Sequence, residues 1–342
     1  MKLLIRGLLL AIGICLPLAA GEMYARTKDR GVVITDDYIE KATFKNLAIE
    51  DIKKRYVIDP EFGFRPTLGD EGDSGYSEYG TQRNHYDIEK PPGVTRILFA
   101  GDSVTRRGLI VQALQELYGE EGYEYWNGGV GSFGTTQELN YFKRFTWQVD
   151  PDQVVLQFHV NDFVTTPITM MGSDGRPVVY EPTKPRKPIP MPGLYQSSAL
   201  YRFVIDNVVG IDYDDRAIED EIRDSLREFR DTCAEREIGF CVVVNPMFLP
   251  KDEWEDEWTQ RHEAVLGILT ELEVRHFDLA PAVFKAILDG KEVKELDGKG
   301  KPTDFRHPSM DCARYIAAFL AINGLFEFPD GANPGAQHNA AD

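Results

Sequence analysis

The sequence predicts an α/β fold: a three-layer sandwich in which a parallel sheet of about five strands carries helices on both faces. Three observations lead there. Short apolar runs rich in β-branched and aromatic residues recur along the chain. Stretches with helical apolar spacing alternate with them, and several of the runs end in small or polar turn residues. Strands covered on both faces read as unbroken apolar runs, as 153–160 (QVVLQFHV) and 239–245 (GFCVVVN) do.

The alternation starts abruptly after Pro91-Pro92-Gly93. Residues 95–100 (TRILFA) are the first strand, ended by Gly101-Asp102-Ser103, and 109–118 is a helix. A strand at 123–126, a helix at 135–147 and the strand at 153–160 follow. A charged helix over 216–236 leads into the strand at 239–245. Residues 262–273 are helical, 274–279 a further strand, and 309–325 a closing amphipathic helix. The proline-rich segment 163–200 interrupts the pattern directly after the third strand. With Arg176, Lys184, Arg186 and Lys187 it is either a wall that binds an acyl chain or anionic glycan, or a loop without function.

Four regions result. Residues 1–26 are a signal peptide or membrane anchor, with Lys2 and Arg6 before an apolar run that closes on Ala19-Ala20-Gly21. That run is short beside the ~20 apolar residues of a typical span. Export to the periplasm or the extracellular space is expected, with membrane association through the N-terminus if the segment is not cleaved. Residues 27–92 read as a polar extension that wraps the surface without a core of its own. Residues 93–328 are the main domain, and 329–342 a loose tail.

A net charge of −18, from 56 acidic against 38 basic residues, repels phosphate backbones and argues against nucleic acid as a partner. Cys15 lies in the export segment, while Cys233, Cys241 and Cys312 show no CxxC and no histidine at ligand spacing. They read as buried thiols or as one disulfide plus a thiol, and no metal is expected. No GxxxxGK[ST] loop or magnesium-type acidic cluster is present, and no cofactor is expected.

In an open parallel sheet, ligands bind beyond the carboxyl ends of the strands. After the first strand stands Gly101-Asp102-Ser103-Val104, after the second Asn127–Gly134 (NGGVGSFG), and after the third His159-Val160-Asn161-Asp162. The last helix is preceded by Asp304-Phe305-Arg306-His307-Pro308, a turn-like segment. A hydroxyl attacks a carbonyl only if a base takes its proton. His307 suits that role for Ser103, and Asp304 can hold the other ring nitrogen. An oxyanion would find donors in the Ser103 N–H, the Gly131–Ser132 turn and the Asn161 amide. Asp102 and Asp162 are expected to bond the strand-end turns, and His159 to be a core histidine. His85, His262, His276 and His338 show no useful pairing.

These four blocks, in this order on these elements, resemble the SGNH (GDSL) hydrolase superfamily, in its bacterial exported or membrane-anchored branch. The resemblance covers about residues 96–325 and implies a flavodoxin-like sheet. It matches Ser103 to the nucleophile, Asn161 to the oxyanion asparagine, and Asp304 with His307 to the DxxH pair. Aligned on Asn127, the family's oxyanion glycine falls on Ser132, with Gly131 before it. It implies hydrolysis of a carboxylic ester, such as acetyl groups on a glycan or a lipid ester, through an acyl-enzyme. An O-acetyltransferase with the same residues and a non-catalytic glycan-binding or assembly protein of the same fold are the alternatives.

Overall fold

The computed structural model describes residues 2–28, 54–59, 61–163, 168–171, 177–180, 191, 194, 197–205, 215–296 and 299–327. The tail, residues 29–53 and most of the proline-rich segment, with its four basic residues, lie outside them. Helix α1 (Lys2–Lys28) is followed by a hairpin of β1 (Tyr56–Asp59) and β2 (Gly63–Pro66). Then come β3 (Thr95–Gly101), α2 (Ser103–Arg107), α3 (Leu109–Tyr118), β4 (Tyr123–Asn127), α4 (Thr135–Arg144) and β5 (Gln153–His159). The short strands β6 (Ile168–Met171) and β7 (Pro177–Tyr180) pair antiparallel. Helices α5 (Ala199–Val204) and α6 (Asp215–Glu235) lead to β8 (Gly239–Asn245), α7 (Asp256–Glu271), β9 (His276–Asp278) and α8 (Ala280–Leu288). A second hairpin, β10 (Lys294–Leu296) and β11 (Pro302–Pro308), precedes α9 (Met310–Ile322).

The central sheet runs β4-β3-β5-β8-β9, all parallel. Counted among themselves, its strands follow the doubly wound order 2-1-3-4-5, the flavodoxin-like arrangement that the resemblance implied. Alternate side chains of each strand feed two apolar layers. Ile97, Phe99, Val155 and Val243 pack with α3, α8 and α9, while Leu98, Val154, Leu156 and Val242 pack with α4, α6 and α7. The strands are buried on both faces, which is why they read as continuous apolar runs.

Three expectations need correction. The segment 27–92 is more than a surface wrap: Tyr56, Phe62, Phe64, Leu68 and Tyr76 form an apolar cluster with Val130, Phe133 and Tyr141 of the main domain. Its polar composition hid this because the few aromatic residues borrow their partners from another segment. Asp304 and His307 sit on strand β11 and not in a turn, since the facing strand β10 is too short and polar to announce a hairpin. Helix α7 starts six residues before the expected 262, where Asp256 and Glu257 supply the acidic first turn that suits a helix dipole.

All four cysteines are free, and Cys233, Cys241 and Cys312 are buried. Burial pushes the Cys241 and Cys312 thiols up to about 12 and raises Cys233 as well, so they are unreactive packing residues. Among the described residues no helix is long and apolar enough to cross a membrane. Glu22 of α1 accepts from Ser198 Oγ (2.8 Å) and from the Ala199 and Leu200 N–H groups (3.0 and 2.9 Å), so α1 caps the start of α5.

Candidate active site

The strand order changes direction at β3, whose neighbours β4 and β5 follow it in sequence, and a crevice opens there beyond the strand ends. Gly101, the last residue of β3, pairs with Gln157 of β5. Ser103 lies two residues beyond the first and Asn161 four beyond the second, so neighbouring strands deliver both to one place. Gly101 has φ +147°, and a Cβ there would sit 2.2 Å from Thr105 Oγ1 and 2.8 Å from the Gln157 carbonyl oxygen. The strand-to-helix turn that presents Ser103 therefore requires glycine.

Asp102 caps α2, its Oδ1 accepting from the Val104 N–H at 2.8 Å. Its Oδ2 lies 3.1 Å from Ser103 Oγ and accepts from Asn161 Nδ2 at 3.0 Å. Asp102 thus holds the asparagine beside the serine as well as bonding its own turn, which is all the sequence suggested. On the other side of the serine, His307 Nε2 lies 2.9 Å from Ser103 Oγ, and His307 Nδ1 lies 2.8 Å from Asp304 Oδ2. His307 is buried and Asp304 half-buried. Burial alone would raise the Asp304 carboxyl, but bonds from His307 and the Arg306 N–H outweigh it and hold Asp304 at about 2. An ionised Asp304 selects the tautomer with the proton on Nδ1 and leaves Nε2 as the acceptor facing Ser103.

The glycine block is pinned against α2. Asn127 donates from Nδ2 to the Thr105 carbonyl (2.7 Å) and accepts on Oδ1 from the Gly129 N–H (2.9 Å). A Cβ on Gly129 would lie 2.5 Å from the Arg106 nitrogen. Ser132 takes the left-handed conformation, φ +66°, normally left to glycine, and it lines the cavity. Its N–H has no acceptor among the described residues. Gly131 does not line the cavity, so of the two candidate donors in this turn Ser132 is the one at the site.

His159 is fully buried, as expected of a core histidine, and its Nδ1 contacts Asn161 Oδ1. The Asn161 nitrogen must face the Asp102 carboxylate, so Oδ1 faces the ring and Nδ1 carries the proton. Burial lowers the His159 pKa despite the nearby Asp102 charge, which keeps the ring neutral. Behind this pair lie Glu138 of α4 and Asp162, both fully buried. Burial first, and the charge of Asp102 with it, pushes the Glu138 carboxyl far up; burial and then Glu138 and Asp102 do the same to Asp162. Neither Glu138 oxygen has a partner among the described residues.

Ser103, Ser132, Asn161, Asp304 and His307 all line one cavity of about 710 Å³. Sequence reasoning missed the rest of its wall: Ser74, Gly75, Tyr76, Gln82 and Arg83 from the extension, and Arg106, Arg107 and Arg306. Tyr76 donates its hydroxyl to the Gly129 carbonyl at 2.5 Å, and Gln82 Nε2 donates to the Arg106 carbonyl at 2.5 Å. Arg106, Arg107 and Arg306 stood in the same motifs as Ser103 and His307 and could have been read from them. The extension residues carried no such signal. Glu295, paired with Asp304 across the β10–β11 hairpin, brings an oxygen to 4.0 Å from His307 Nδ1 and ion-pairs with Arg107. Asp304, His307 and Glu295 are also the one group among the described residues spaced to ligate a metal; the nitrogen that faces both carboxylates is Nδ1, which carries the proton bonded to Asp304 Oδ2. His262, for which the sequence offered no pairing, lies 3.0 Å from Asp278 Oδ1 and ties α7 to the end of β9.

No family model matches the sequence, and no curated protein matches it. Among solved structures, an acetyl xylan esterase is 14% identical, with 67% of this chain and 98% of that chain covered and a TM-score of 0.42. A catalytic mutant of an acetylxylan esterase from Geobacillus stearothermophilus is 17% identical over 70% of this chain and 97% of that one, TM-score 0.41. A member of the lipolytic protein G-D-S-L family from Veillonella parvula is 13% identical over 68% and 100%, TM-score 0.40. The solved structures to which this chain is similar thus include ester hydrolases and a G-D-S-L family member.

Proposed function

We propose that the chain is a serine esterase that cleaves carboxylic esters through an acyl-enzyme on Ser103. The observation that carries this is the unbroken relay Asp304–His307–Ser103, with bonds of 2.8 and 2.9 Å, opening into a cavity. Ser103 Oγ attacks the carbonyl carbon as its proton passes to His307 Nε2, and Asp304 stabilises the imidazolium through Nδ1. The carbonyl oxygen becomes an oxyanion that receives the Ser103 and Ser132 N–H groups and the Asn161 amide hydrogen not given to Asp102. Collapse breaks the ester C–O bond, and His307 returns the proton to the leaving alkoxide. Water, deprotonated by the same histidine, then releases the acid and regenerates Ser103.

The first test is hydrolysis of 4-nitrophenyl acetate by the parent and by Ser103→Ala. Activity in the parent that vanishes in the variant supports the acyl-enzyme; equal near-background rates would sink it for this ester. A cavity of about 710 Å³ exceeds what an acetyl group fills, so a sugar acceptor has room beside the acyl-enzyme. The alcohol of an acylated sugar fills the same space in hydrolysis, so the volume serves both reactions; O-acetyl transfer is told apart by acyl-sugar product when glycan acceptors are added. We also propose that residues 1–26 direct export or anchor the chain, on the strength of Lys2, Arg6 and the apolar run after them. Mass spectrometry of the protein recovered from the producing cells decides it: a cytoplasmic protein with its N-terminus intact would overturn the assignment.

A further inference from the structure

The cavity before Ser103 is basic in a chain that is acidic overall. Among the described residues four of its lining residues are arginines, Arg83, Arg106, Arg107 and Arg306, and its one lining carboxylate, Asp304, is engaged by His307. Across the whole chain, acidic residues outnumber basic ones 56 to 38. The four arginines come from three separate segments: the extension, helix α2 and strand β11. Elsewhere on the surface Arg65, Arg144, Arg223, Arg227 and Arg314 each hold a carboxylate. In the cavity Arg107 does so too, with Glu295.

Arg83 and Arg306 differ. Arg83 donates from Nη2 to the Gly69 carbonyl at 2.7 Å, and Arg306 lies 6.0 Å from the centre of the Phe305 ring. Neither has a carboxylate at ion-pair distance among the described residues. A guanidinium presents a planar fork of donors that matches a carboxylate, sulfate or phosphate. Arg306 directly precedes His307 on β11 and lines the same cavity as Ser103.

We propose that the cavity takes esters that carry an oxyanion beside the scissile bond, a carboxylate above all, as in an acylated acidic saccharide of the uronate type. This rests on the esterase reading of Ser103. The positive cavity would draw such a substrate against the repulsion of the chain's net negative charge.

The test has two arms, both on the full chain. In the first, kcat/KM is measured for 4-acetoxybenzoate and for its neutral methyl ester, in the parent and in the Arg83→Gln/Arg306→Gln variant. The ratio of anionic to neutral ester should fall by about tenfold or more in the variant, the loss of a charge-assisted bond. An unchanged ratio overturns the proposal. The second arm needs no turnover: calorimetry of trigalacturonate and of neutral galactotriose with Ser103→Ala protein, with and without the arginine substitutions. Tighter binding of trigalacturonate, lost with the arginines, supports the proposal, and equal affinities overturn it. Galactose 6-sulfate or galactose 6-phosphate displacing trigalacturonate better than free galacturonate would overturn the carboxylate assignment. If neither acetate is cleaved while the binding difference persists, the esterase reading falls and the anion site stands.

Discussion

Ser103 gains its character from what surrounds it: an imidazole acceptor in His307, the Asp102 carboxylate 3.1 Å away, and a glycine two residues before it that lets the backbone turn. Of the three proposed oxyanion donors, Asn161 and Ser132 differ in kind and can be told apart by mutation. Asn161 contributes a side-chain amide, so Asn161→Ala should lower kcat on 4-nitrophenyl acetate by about 10²–10³. Ser132 contributes only its N–H, and Ser132→Gly suits the φ of +66° without removing that donor. Its kcat should therefore stay within about threefold of the parent, because the preorganised N–H is what acts on the oxyanion. A large loss in Ser132→Gly would mean the serine hydroxyl does the work. At this scale the sequence was informative: Ser103, Asn161, Asp304 and His307 each stand in a short motif at a strand end or before a helix. Asp102 was undervalued, because bonding its own turn and touching two site residues look the same in sequence.

At the scale of elements, the turn after β4 and helix α2 are locked face to face. Asn127 bonds across the junction, and Gly129 packs against the α2 backbone where a methyl group would need space that Arg106 N and Thr105 already fill. Gly129→Ala should cost about 1–3 kcal/mol by overpacking and should lower the esterase rate with it, as α2 carries Ser103 at its first position. Urea unfolding and the 4-nitrophenyl acetate rate check this; parent-like values in both would show that the junction yields. The parallel strands and their helices were legible because burial on both faces imposes unbroken apolar runs. The hairpins β1–β2 and β10–β11 were not, because β1, β2 and β10 are short and both hairpins pack against segments distant in sequence.

The whole molecule responds to pH through two sets of carboxyls with opposite signs. Asp304 is held at about 2, so its stabilising contribution is present above its unfolded value of 3.8 and is lost only as pH falls through about 2. Glu138 and Asp162 are raised by burial. Their contribution is complete below their unfolded values and is lost as pH rises through the folded ones, where a buried group must ionise or the fold must open. Glu138→Gln removes one such group at nearly constant volume. Between pH 5 and pH 9, melting temperature should fall less steeply with pH in Glu138→Gln than in the parent, as followed by circular dichroism. Parallel slopes would show that Glu138 finds a partner for its charge.

By itself the sequence determined the elements of the parallel sheet and the chemistry placed at their ends. Both are local: apolar runs follow from burial on two faces, and the motif residues sit within a few positions of a strand terminus. Only the tertiary structure decided that Ser103 and His307, 204 positions apart, meet at 2.9 Å. It alone brought Arg83 and Tyr76 of the polar extension into the wall beside them. Convergence of that kind depends on strand order and on packing between distant segments, and no spacing along the chain encodes it.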